Sequence, residues 1–223
     1  MSIKIIKLKK LFLPRYSSNS YINDLRKNGT IIGKNCYFYN PKSIYIDLMS
    51  LKFINIGNNV QLTEGVKILA HDYSYSVLVN KYNEIYRPQR RTIIGNNVFI
   101  RMNTIILMGT TIGDNVIIGA GSVVTGNIES NSVYAGNPAR KICSLDYYKD
   151  KLKSQFESSA KCYYEVYGNN NMNIYKSLYE DIDDIRVNLL KNIPHGICGE
   201  SIRKLKSNKK YKNMKEFLNN INN

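Results

Sequence analysis

Two imidazoles are available to this chain, His71 and His195, and their settings differ. His195 lies in the turn Pro194-His195-Gly196, where a structural or surface role is the simplest reading. His71 opens a polar segment, His71-Asp72-Tyr73-Ser74-Tyr75-Ser76, that closes on Arg87-Pro88-Gln89-Arg90-Arg91-Thr92. Imidazole exchanges protons near neutral pH, so His71 is the candidate general base for removing a proton from an attacking hydroxyl. Such a base needs a partner on its other ring nitrogen. Asp72 and Glu84 are the acidic residues near it in the chain. Adjacent strand residues face opposite ways, which disfavours Asp72 and leaves Glu84 or a backbone carbonyl open.

The elements that must hold this base are written in a six-residue rhythm. Apolar residues fall at Ile94, Ile100, Ile106, Ile112, Ile118 and Val124. Val98, Thr104, Thr110, Val116, Ser122 and Ile128 stand four places after each. The rhythm also runs through Ile56, Leu62 and Ile68, then breaks before Ile94, and His71 stands at the break. A sustained period of six marks a hexapeptide β-helix, a mainly β solenoid in which three units close one triangular coil. Breaks in such a coil let out loops, where chemistry concentrates.

The spacing of similar stretches locates the insertions. Ile94-Gly95-Asn96-Asn97-Val98 and Ile112-Gly113-Asp114-Asn115-Val116 lie one coil of eighteen residues apart. Ile56-Gly57-Asn58-Asn59-Val60 lies thirty-eight residues before Ile94, which implies an excursion of about twenty residues between roughly Tyr73 and Thr92. Ile32-Gly33-Lys34-Asn35-Cys36 lies twenty-four before Ile56, which fits either an extra hexapeptide or an insertion near Asp47 to Lys52. Gly and Asn at the corners fit positive φ angles.

Three parts follow. Residues 1–30 form a basic lead-in with short helical potential, residues 31–142 the solenoid, and residues 143–223 a helical extension. In the extension, Leu145, Tyr148, Leu152, Phe156 and Ala160 keep helical spacing, and a second helix is expected over residues 174–192. The helices are read as packing or assembly elements. Cys36, Cys143, Cys162 and Cys198 show neither paired nor metal-ligand spacing, which suits reduced thiols of a cytoplasmic protein. No apolar run is long enough to span a bilayer. The first thirteen residues mix basic and apolar types and are compatible with weak attachment to a membrane surface.

The formal net charge is +15. Lys, Asn, Ile and Tyr are all abundant, as biased codon usage would produce. The functional alternative is an anionic ligand such as a phosphate, an acidic glycan or a membrane surface. Nucleic acid is disfavoured, because the basic residues are dispersed and no recognition motif is visible.

The stretch Ile118-Gly119-Ala120-Gly121-Ser122-Val123-Val124-Thr125, then Val133-Tyr134-Ala135-Gly136-Asn137-Pro138-Ala139-Arg140-Lys141-Ile142, with Ala70-His71-Asp72 upstream, resembles the hexapeptide-repeat acyltransferases. Within that family it is similar to galactoside, maltose and capsular-polysaccharide O-acetyltransferases. The resemblance covers residues 31–142. It implies a left-handed parallel β-helix, a homotrimer with sites between subunits, acetyl-CoA as donor and a sugar, sugar-nucleotide or glycan acceptor. It implies His71 as base and the Met102 backbone amide as oxyanion donor. Gly119 and Ala120 would line the pantetheine arm, and Asn137, Pro138, Arg140 and Lys141 the nucleotide end. Asp72, Tyr73, Phe99 and Arg101 would border the acceptor. Arg101 and Glu129 depart from the pattern, as does Gly126, where relatives carry Lys.

Three alternatives compete. A zinc-dependent β-helix carbonic anhydrase needs three imidazoles on one metal, more than two histidines can supply. N-acylation of an amino-sugar nucleotide would use the same base chemistry. A non-enzymatic β-helix scaffold would make no use of His71.

Overall fold

The computed structural model describes residues 3–13, 16–168 and 210–221. Two compact units divide the chain, Met1–Tyr148 and Lys149–Asn223. The expected helix at 174–192 lies outside the described residues.

The first unit is a parallel β-helix whose short strands stack into three sheets. The first sheet stacks Ile31–Ile32, Ile54–Ile56, Thr92–Ile94, Thr111–Ile112 and Asn127–Ile128. The second stacks Tyr37–Phe38, Gln61–Leu62, Val98–Ile100, Val116–Ile118 and Ser132–Gly136, and ends on the antiparallel strand Ala139–Ser144. The third stacks Tyr45–Ile46, Lys67–Ile68, Ile105–Ile106 and Val123–Val124. The rhythm residues Ile56, Leu62, Ile68, Ile94, Ile100, Ile106, Ile112, Ile118 and Val124 are all buried along the axis.

The polar members of the rhythm are also inside. Thr104, Thr110 and Ser122 are fully buried and donate their hydroxyls to the turn carbonyls of Arg101, Leu107 and Gly119, each at 2.7 Å. A buried hydroxyl without such a partner would destabilise the coil. The corner residues divide the work between two types. Asn59, Asn97 and Asn115 hold the positive φ angles, and the Asn97 amide donates to Asn115 at 2.8 Å in the next coil. Gly57 serves a different need, because a Cβ there would sit 2.5 Å from the Gly95 carbonyl oxygen. Close stacking, not backbone handedness, excludes a side chain at that corner.

The register resolves the twenty-four-residue spacing. Tyr37 pairs with Gln61, twenty-four residues on, but Tyr45 pairs with Lys67, twenty-two on. Two extra residues therefore lie between Phe38 and Tyr45, and the other four lie between Ile46 and Ile54, around a 3-10 turn at Leu51–Phe53. No extra hexapeptide is present. In the next coil Ile54 pairs with Thr92, thirty-eight residues on.

Helices α1 (Ile3–Phe12) and α2 (Ser18–Lys27) precede the first coil. Tyr21 and Leu25 of α2 join the solenoid core, and Ser18 Oγ accepts from the Phe38 amide at 2.8 Å. A stacked repeat needs such a cover, since its end coil otherwise exposes the core. Asp24 is buried and accepts hydrogen bonds from Lys9, at 2.7 Å, and Tyr16. Burial alone would raise its carboxyl. The hydrogen bonds from Lys9 and Tyr16 and the nearby lysine charges hold it below the usual range instead.

In the second unit, α4 (Leu145–Tyr167, beginning in the first unit) buries Ala160 with Tyr211 and with Phe217 of α5 (Met214–Ile221). Glu157 accepts from Lys210 at 2.5 Å and from Tyr211. Cys36, Cys143 and Cys162 are free thiols.

The coil model makes a graded prediction. Ile100→Ala should cost about 2–5 kcal/mol in chemical denaturation, as expected for a cavity in a packed core. Ile31→Ala, beside the rhythm residue Ile32 but on an outward strand position, should stay within about 0.5 kcal/mol of wild type. Equal losses at both positions would contradict the inward–outward assignment.

Candidate active site

His71 stands where the third sheet should turn into the first. The coil leaves the barrel there, and His71 forms an isolated antiparallel bridge with Gln89 as the chain returns. The excursion carries α3 (Tyr75–Tyr82), which buries none of its residues.

The partner of His71 is Asp47. Its Oδ2 bonds His71 Nδ1 and also accepts from the Ala70 amide at 3.2 Å, while Oδ1 accepts from the Met49 amide at 3.1 Å. Asp47 is wholly buried and His71 is partly exposed. An ionised carboxylate can only accept, so this arrangement puts the proton on Nδ1 and leaves the Nε2 lone pair free for a hydroxyl proton. A buried carboxylate is tolerated only when its oxygens are satisfied, and here both are.

This corrects the expectation for Glu84, which lies exposed in the loop and accepts from Tyr86 at 2.8 Å. Asp72 also turns away and accepts from the Ser74 amide at 2.8 Å. Sequence reasoning missed Asp47 because it precedes His71 by a full irregular coil. A signal existed: the odd spacing had already drawn attention to residues 47–52, the corner one coil below.

An aromatic run leads out from His71. The Tyr73 ring lies 4.6 Å from the His71 ring in an edge contact, and Tyr75 lies 5.9 Å from Tyr73. The Arg87 guanidinium stands 5.9 Å over Tyr75. Tyr75, Leu78, Ile85, Tyr86 and Pro88 line an open hollow in the same loop.

The other expected site residues lie elsewhere. Arg101 and Met102 occupy the corner between the second and third sheets. The Met102 carbonyl accepts from the Gly121 amide at 2.8 Å, which stacks that corner on the next coil. Phe99 sits on the outward side of the second sheet, in register with Gln61 and Ile117. Arg101 donates to the Tyr148 hydroxyl at 2.9 Å, so this departure from the repeat ties a corner to the start of α4. Gly119 has a packing reason of its own, because a Cβ would meet the Ala135 Cβ at 2.6 Å. Asn137 and Pro138 form the exposed turn before the antiparallel strand that carries Arg140 and Lys141. Lys141 is engaged with Glu129 at 2.6 Å, while Arg140 donates to the Ala139 carbonyl, at 3.1 Å.

One side of the prism separates His71 from the Met102 corner. Residues 66–70 span that side, roughly 15 Å at the rise of a strand. A base and an oxyanion donor must both lie within about 3 Å of one reacting group. A single chain therefore does not bring His71 and Met102 to the same substrate.

Residues 91–126 match the family model described as bacterial transferase hexapeptide (six repeats). Over 158 residues the chain is 42% identical to Protein CapG of Staphylococcus aureus, covering 70% of this chain and 90% of that protein. The chain belongs to the hexapeptide-repeat acyltransferase family. Within that family it is 36% identical to the galactoside O-acetyltransferase of Escherichia coli strain K12, over 53% of this chain. That match spans 59% of the relative, so the chain covers little more than half of its length. The solved maltose O-acetyltransferase from Clostridium difficile 630 superposes with a TM-score of 0.50 at 30% identity, covering 63% of this chain and 82% of that one. The fold is the left-handed parallel β-helix of these hexapeptide-repeat enzymes.

For this acyltransferase the buried carboxylate gives a direct test. Asp47→Asn keeps the volume but offers Nδ1 a donor, which favours the wrong tautomer. Its kcat for acyl transfer should fall by on the order of 10²-fold or more, with the donor KM little changed. A kcat within twofold of wild type would remove Asp47 from the site.

Proposed function

We propose that this chain is an acetyl-CoA-dependent O-acetyltransferase acting on a sugar hydroxyl, in the surface-polysaccharide metabolism of a bacterium. The carrying observation is the buried Asp47 carboxylate bonded to His71 at the mouth of the loop excursion. The sugar acceptor is supported by the galactoside and maltose O-acetyltransferases among the relatives. The polysaccharide setting rests on the resemblance of the repeat to capsular-polysaccharide enzymes, and a cytoplasmic location on the unpaired spacing of the four cysteines.

In this reading Asp47 holds the imidazole tautomer, and His71 Nε2 takes the acceptor hydroxyl proton as its oxygen attacks the thioester carbonyl. The Met102 amide receives the charge that develops on the carbonyl oxygen. Collapse breaks the carbon–sulfur bond, and the imidazolium returns the proton to the departing thiolate. No acyl-enzyme forms. Tyr73 and Tyr75 offer ring faces for the acceptor, with Asp72 at the loop entrance.

The working unit is a homotrimer in which the His71 corner of one copy faces the Phe99–Met102 edge of its neighbour. The separation of those corners within one chain supports this arrangement. Gly119 and Ala120 would then flank the donor arm, with Asn137 and Pro138 near its nucleotide end. Arg140 is the better placed phosphate contact, since Lys141 is already held by Glu129.

Thiol release from acetyl-CoA, measured against neutral and amino sugars, sugar nucleotides and oligosaccharides, tests the chemistry. Acceptor-dependent release should appear with hydroxyl acceptors and fall at least about 10²-fold in His71→Ala, the usual contribution of a general base. Similar turnover in both proteins would refute the mechanism. Co-expression of His71→Ala with Phe99→Ala, each expected to lose activity alone, tests the shared site. Mixed trimers should regain part of the activity, whereas sites confined to one chain would stay silent.

A further inference from the structure

Helix α1 has its polarity reversed. Lys9 and Lys10 turn inward: Lys9 bonds Asp24, and Lys10 donates to the Ile44 carbonyl and lies 4.2 Å from the Tyr21 ring centre. Ile6, one turn earlier in the helix, is buried on the same inward side. The larger apolar side chains point out instead. Leu8 is 53% exposed, Leu11 72% and Phe12 70%, with Ile5 beside them. At 3.6 residues per turn, Ile5, Leu8, Leu11 and Phe12 share one side of the helix; Lys4 falls within that arc at its N-terminal end, and the exposed Lys7 stands on its border.

A helix that only covered the first coil would be patterned the other way, with leucines inward and lysines in water. Four contiguous apolar side chains on one exposed face mark a surface that meets something apolar. The flanking lysines narrow the choice. A second copy docking face to face would bring the same lysines together, and like charges destabilise such an isologous contact; a heterologous contact between copies is read by the scattering mass below. An anionic lipid surface satisfies both features, and the formal net charge of +15 adds long-range attraction toward it.

We propose that the outward face of α1 docks on an anionic membrane surface. Ile5, Leu8, Leu11 and Phe12 enter the boundary between headgroups and acyl chains, and Lys7 meets lipid phosphate. The helix lies in the plane of the interface, as apolar faces bordered by lysine do. α1 is far too short to cross the bilayer. The docking is independent of the acyl-transfer reading, because no residue of α1 belongs to the proposed active site.

The full-length chain should co-sediment with phosphatidylcholine vesicles containing phosphatidylglycerol and much less with pure phosphatidylcholine vesicles. High salt should weaken the binding. The double variant Leu11→Gln/Phe12→Gln should lose at least about tenfold in partitioning, because each side chain gives up the burial of a large apolar group. Both positions are exposed, so thermal unfolding should be unchanged in that variant. The chain contains no tryptophan, so Phe12→Trp provides a single fluorescent reporter whose emission should shift to the blue on anionic vesicles. Equal partitioning of wild type and the double variant would overturn the proposal. So would an indole emission in the Phe12→Trp variant that anionic vesicles leave unmoved, or a drop in the scattering mass of the double variant, which would make the face a contact between copies.

Discussion

Every feature of this molecule depends on coils stacking with their backbones in hydrogen-bonding contact. Strands in adjacent coils sit about 4.8 Å apart, which leaves no volume for a side chain wherever two corners overlie. Gly57 under Gly95 and Gly119 under Ala135 meet that limit by having no Cβ. The asparagines adopt the left-handed backbone that closes the same corner and bond one another from coil to coil. Inside, the spacing leaves a narrow axis that isoleucine, valine and leucine fill, with threonine and serine hydroxyls returned to turn carbonyls. The core is thus a column, and its open first end is covered by α2.

The same rule explains why the Asp47–His71 pair forms at a break. A regular corner has no room for an imidazole and a carboxylate. Four extra residues after Ile46 and the excursion after Ala70 open adjacent coils at one corner. Asp47 can then stay wholly buried while its two oxygens collect the Ala70 and Met49 amides and the His71 ring. An isolated buried carboxylate would be strongly disfavoured. Here the three donors offset the loss of water, and the stiff coils above and below keep the geometry. The His71 ring is therefore positioned by the solenoid, whereas the aromatic run of Tyr73 and Tyr75 belongs to the loop.

The prism also distributes the candidate site residues in a way that linear order conceals. Met102 follows His71 by thirty-one positions and lies in the next coil, but at a different corner. Gly119, expected beside the donor arm, also packs against Ala135 of the next coil. Arg101 interrupts the small-residue pattern because it reaches Tyr148. These assignments turn on which corner a residue occupies, which depends on counting every insertion before it.

Much of the architecture was legible in the chain alone, for a physical reason. The six-residue period is a local repeat, and each unit contacts only the units above and below, so periodicity along the chain maps directly onto the coil. Ile94 through Val124, the length of the excursion and the placement of His71 at its mouth all followed from that mapping. Tertiary structure decided what depends on stacking across irregular coils. It selected Asp47 over Glu84, because side-chain pairing between coils is set by how many residues the intervening corners absorb. It separated His71 from Met102, because a corner is a position in space and not in sequence. It turned the lysines of α1 inward and its leucines outward, because Asp24 and the Ile44 carbonyl, distant in the chain, offered partners that no local pattern announces.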